Sequence, residues 1–120
     1  MKLCHVVVLF FVFGEFIPYP ASGQTNRQLI DVESARFNAA DKKMNVAYQK
    51  LLGALGDEGK STLREAQRAW LVWRDAQAEF DSHHLAGGKL RPLERWGSLT
   101  LSTEARTTRL LDDYKRFKEM

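Results

Sequence analysis

The chain has 120 residues, 44% apolar and 28% charged, with a formal net charge of +3. Positive and negative residues are interspersed, so there is no concentrated basic footprint, and nucleic acid is excluded as a partner. The single cysteine, Cys4, rules out an internal disulfide framework.

Met1-Lys2 is a short positive end, followed by an apolar run from Leu3 to Phe13. Pro18 and Pro20 interrupt it, and Ala21-Ser22-Gly23 supplies small residues for cleavage. This is the layout of a secretory signal peptide over residues 1–23, with the mature domain at 24–120. The apolar run is shorter than the ~20 residues a membrane span needs, so no span is expected after cleavage. The expected location is periplasmic or secreted. Cys4 leaves with the leader, so the mature domain depends on packing alone.

Thr25 to Asp31 reads as a polar lead-in. From about Val32, Phe37, Ala40, Met44, Tyr48, Leu51 and Leu55 recur at intervals of three and four, the mark of one apolar helical face. Asp57-Glu58-Gly59 reads as a turn. Ser61 or Thr62 can cap a second helix, and Glu65 three residues after Thr62 resembles a capping box. The stretch Leu63 to His84 is the rod on which the rest is expected to pack. Leu63, Ala66, Trp70, Trp73, Gln77, Phe80 and His84 form one seam, and Arg64, Glu65, Arg68, Asp75 and Glu79 lie opposite. Gly87-Gly88 ends it, and Pro92 suits the first turn of a third helix running from about Leu93 to Phe117. Its inner side is Leu99, Thr103, Arg106, Leu110, Tyr114 and Phe117, and Gly97 could split it. No strand pattern is present. The expected architecture is all-α, a small antiparallel bundle of three main helices, with Trp70, Trp73 and Phe80 facing Met44, Tyr48, Leu51 and Leu110.

Three pieces of the chain, in order, resemble one known family. Asp41, Asn45 and Tyr48 fall in an "AD...N..Y" pattern; Leu63, Ala66-Gln67, Trp70 and Arg74-Asp75 in "L..AQ..W...RD"; Gly87-Gly88, Pro92, Leu99, Thr103, Arg106-Thr107 and Leu110 in "GG...P......L...T..RT..L". The combination is similar to the lysozyme-inhibitor LprI-like N-terminal domain family, small exported helical proteins. The resemblance implies a binding function directed at lysozyme or another peptidoglycan-cleaving muramidase, with no cofactor and no catalysis. The alternative is a structural or adaptor protein of the bacterial envelope. Members usually carry cysteines where this chain has residues around Val32, Ala78 and Ser98, which suggests that packing replaces a bridge between the second and third helices.

Gln67, Trp70, Arg74 and Asp75, with Thr103 and Arg106 across the gap, read as a structural polar cluster that sets helix register, Arg74 forking onto a carboxylate or backbone carbonyls. Glu79 and His83 lie four apart, but a metal needs three or four convergent ligands, and adjacent His83 and His84 point apart on a helix. No metal site is expected, and no nucleophile or phosphate-loop motif suggests an enzyme. The best candidate contact surface is the hairpin Ser82 to Trp96. It combines His83, His84, Lys89 and Arg91 with apolar Leu85 and Leu90, and Arg95 and Trp96 follow. The plainer reading is a capped loop whose leucines and Trp96 close the end of the bundle.

Overall fold

The computed structural model describes residues 25–120, so the expected signal peptide over 1–23 lies outside the described residues. Three α-helices account for nearly all of them: α1 Asn26–Gly53, α2 Asp57–Ser82 and α3 Arg91–Lys118. A single 3-10 turn, His83–Leu85, follows α2. The fold is all-α, and the described residues contain no strand.

α1 starts earlier than its apolar pattern. Thr25 and Gln28 form a capping box: the Thr25 hydroxyl accepts from the Gln28 backbone N–H at 3.3 Å, and the Gln28 side chain accepts from the Thr25 N–H at 2.9 Å. Two otherwise orphaned donors are satisfied, so the expected polar lead-in is already helical. α2 also begins early, at Asp57 behind Gly56. Asp57 and Glu58 in its first turn complement the positive end of the helix dipole. Neither Ser61 nor Thr62 is therefore a cap; both lie inside the helix, and Thr62 donates to the Glu58 carbonyl at 2.9 Å. α3 is unbroken through Gly97, where an added Cβ would meet nothing within 4 Å.

Residue pairs show an up-down-up path. Asp41 meets Arg74 and Met44 meets Gln67, so α1 and α2 run oppositely. Asp81 meets Ser98 and Gln67 meets Arg106, so α2 and α3 do too. α1 packs most extensively on α3 and touches α2 at few points. The centre is Met44, Ala47, Leu51 and Leu110, with Tyr48, Leu55, Leu63, Trp70, Leu111 and Tyr114 packed around it.

One expectation fails clearly. Trp73 is 51% and Phe80 65% exposed, and Ala66 is exposed as well. The buried positions of α2 are Gln67, Arg74, Ala78 and Ser82. The inward seam is thus turned by one residue, ~100° of helix, from the aromatic seam. Polar side chains can face inward because each has a partner: among the described residues no buried side-chain nitrogen or oxygen lacks one. Trp70, shared by both seams, keeps its contact with the core, whereas Trp73 and Phe80 do not face it.

Candidate interaction surfaces

The polar cluster ties the three helices together. Arg74, 9% exposed, donates from Nε to Asp75 at 3.1 Å and from Nη1 to Asp41 of α1 at 3.5 Å. Gln67 donates to the Met44 sulfur at 3.4 Å and accepts from Arg106 Nε at 3.0 Å. Two guanidinium groups lie over the Trp70 ring, with Arg74 Cζ 5.3 Å and Arg106 Cζ 5.7 Å from its centroid. Such contacts are attractive because the ring face is electron-rich. Burial pushes the Arg106 guanidinium below its ordinary pKa, opposed by the Asp113 charge. Thr103, fully buried, does not join this cluster; its hydroxyl donates to Leu99 of its own helix at 2.7 Å.

The hairpin is held at its base. Asp81 accepts from Ser98 Oγ at 2.6 Å and from Gln77 Nε2 at 2.8 Å, which holds its carboxyl below the usual carboxylate range. Glu79 accepts from Arg95 Nε at 2.6 Å and Arg91 Nη2 at 2.9 Å. The Arg95 bond, followed by the two arginine charges, lowers the Glu79 pKa. Ser82 is fully buried and donates to the Ala78 carbonyl at 2.8 Å. Gly87, at φ 78, makes the left-handed step that other residues resist. Gly88 N–H donates to the Leu85 carbonyl at 2.9 Å, closing the turn.

On this base the loop presents a row of exposed groups. Phe80 stacks on His83 with centroids 5.3 Å apart, and His84 meets His83 edge-on at 6.0 Å. His83, His84 and Lys89 are exposed, Leu90 is 55% exposed, and Leu85 is half-buried. Arg91 is engaged by Glu79 at the start of α3. Trp96 packs inward on Phe37 at 5.3 Å and so closes the bundle end. Sequence reasoning missed Phe80 as a surface group and Glu79 as the brace of the hairpin. Helical spacing alone marked Phe80 as core, and nothing local links Glu79 to residues 12 and 16 positions on. Among the described residues no group of three His, Cys, Asp or Glu side chains is placed to hold a metal ion, and no helix is long and apolar enough to cross a membrane.

These features define a small helical protein that offers side chains at one end of a braced bundle. Residues 20–110 match the lysozyme inhibitor LprI family, and the chain belongs to it. The chain is also 32% identical over 87 residues to an uncharacterised protein of Rhizobium meliloti (strain 1021), covering 62% of this chain and 63% of that relative, so it spans less than two thirds of the relative's length. No solved structure matches the chain.

Proposed function

We propose that this protein is exported and binds a peptidoglycan-cleaving muramidase, with the Ser82–Trp96 hairpin blocking the enzyme's cleft. Family membership supports an inhibitor-like domain. The observation that carries the site is the exposed Phe80–His83–His84 stack, with Lys89 and Leu90 exposed on the same connection, on a turn braced by Glu79 and Asp81. A preformed loop loses little conformational freedom on binding, so more of its contact energy appears as affinity.

A muramidase cleft carries two carboxyl groups, an acid and a nucleophile or stabiliser. His83, His84 and Lys89 offer them complementary donors, while Leu85, Leu90 and Phe80 exclude water and substrate. Arg91 holds the base through Glu79. Many lysozymes are themselves basic, so a chain of net charge +3 gains no long-range steering toward them. Slow association with weak salt dependence follows.

The test is a lysis-rate titration against lysozymes of several types, using the wild type and the variant H83A/H84A/K89A. Circular dichroism checks that both are folded. Inhibition by the wild type, weakened at least tenfold in the variant, is expected. Inhibition that survives unchanged removes the hairpin from the mechanism. Absence of inhibition against every lysozyme type leaves the envelope adaptor as the reading.

A further inference from the structure

Because α1 and α2 each pack on α3 and touch one another sparsely, an open groove of about 540 Å³ remains between them. Its floor is Met44, Gln67 and Leu71, and Asn45, Tyr48, Arg64 and Arg68 stand on its walls. The volume lies within the ~300–1,000 Å³ of ordinary ligand sites. Its charge is one-sided. Asp41, the only carboxylate lining the groove among the described residues, is already engaged by Arg74 and by Asn45 Nδ2 at 3.4 Å. Arg64 and Arg68 make no ion pair among the described residues. They sit one helical turn apart, an arrangement that repels when left uncompensated.

We propose that this groove binds an acidic peptide segment in extended form. Two guanidinium groups one turn apart are separated by ~6 Å along the helix. Alternate side chains of an extended peptide lie ~6.6 Å apart on one face. Carboxylates at alternate positions therefore meet Arg64 and Arg68 in register, each able to take a forked pair of hydrogen bonds. Tyr48 and Asn45 line the same groove and offer it polar side chains that can serve the peptide backbone. Leu71, partly exposed, receives its apolar parts. The site uses none of the hairpin residues and stands or falls separately from muramidase binding.

The test is fluorescence anisotropy with a labelled hexapeptide carrying glutamate at alternate positions, its glutamine analogue, and tripolyphosphate as competitor. The full chain is compared with R64E/R68E on α2 and with K42E/K43E on α1, which makes the same charge change at residues that do not line the groove. R64Q/R68Q is the milder variant, and circular dichroism confirms folding of all. The expected result is binding of the glutamate peptide, at least tenfold weaker binding of the glutamine analogue, and at least tenfold loss in both Arg64/Arg68 variants. K42E/K43E should stay within about twofold of wild type. Equal loss in K42E/K43E, equal binding of the glutamine analogue, or no binding at millimolar peptide would overturn the proposal. Displacement by tripolyphosphate at lower concentration than by unlabelled glutamate peptide would overturn the peptide as occupant.

Discussion

Trp70 is the residue whose removal should be felt most widely. It is half-buried, packs on the Met44–Ala47–Leu51–Leu110 centre, and has the Arg74 and Arg106 guanidinium groups 5.3 and 5.7 Å from its ring centroid. A half-buried tryptophan hides ~100 Å², worth about 2.5 kcal/mol at ~25 cal/mol per Å². Two cation–π contacts add about 0.5 kcal/mol each. Trp70→Ala should therefore cost about 3–4 kcal/mol, and Trp70→Leu, which keeps much of the apolar area, about 1–2 kcal/mol. For a domain of this size each kcal/mol lowers Tm by about 4–8 °C. Urea unfolding followed by far-ultraviolet circular dichroism measures both. A loss under about 1 kcal/mol in Trp70→Ala would refute the packing assigned to it, and equal losses in the two variants would refute the division between area and ring.

Gly97 lies inside α3 with open space where a Cβ would go, so Gly97→Ala should stabilise by about 0.5–1 kcal/mol, whereas Gly87→Ala, at φ 78, should destabilise by about 1 kcal/mol; denaturation midpoints read both. Glu79 has a lowered pKa in the folded protein, so its contribution is present above the unfolded carboxyl value and is lost as pH falls through the folded one. Denaturation from pH 7 to pH 3 should show the wild type losing more stability below about pH 4 than Glu79→Gln, and parallel curves would remove the arginine brace. Ala78 and Ser98 are both buried, and Asp81, one turn after Ala78, bonds Ser98. The double variant Ala78→Cys/Ser98→Cys should close a bridge across a loop of about 20 residues; the gain of about 3 kcal/mol from loop closure is offset by about 1.5–3 kcal/mol for the lost Ser98–Asp81 bond, a net gain of about 0–2 kcal/mol, with free-thiol titration as the check of closure.

Much of the bundle is legible in the residues themselves. Ala40, Met44 and Leu51 are buried as their spacing requires, and so are Leu99, Thr103 and Leu110. The starts of α1 and α2 are less legible. The Thr25–Gln28 box precedes any apolar residue that would draw attention to it, and Gly59 sits inside a helix it was expected to precede. The rotation of α2 has a different cause. Trp73 and Phe80 outweigh Gln67 and Arg74 in any hydrophobic pattern, yet inward polar groups need only partners, and theirs are Met44, Asp41 and Arg106 on other helices. Those partners lie 23, 33 and 39 positions away, beyond any local signal. The hairpin divides in the same way. Its glycines and Pro92 mark the turn, but the grip of Arg91 and Arg95 on Glu79 depends on how α2 and α3 face one another.

Hydrogen exchange of this protein, alone and mixed with each muramidase of a panel, tests the central claim most directly, because it reports where binding occurs as well as whether it occurs. Slowed exchange confined to residues 82–91, with a muramidase whose activity falls in the same mixture, is the predicted result. Protection on the outer faces of α1 and α3 with the hairpin unchanged, or no protection with any muramidase of the panel, would contradict it.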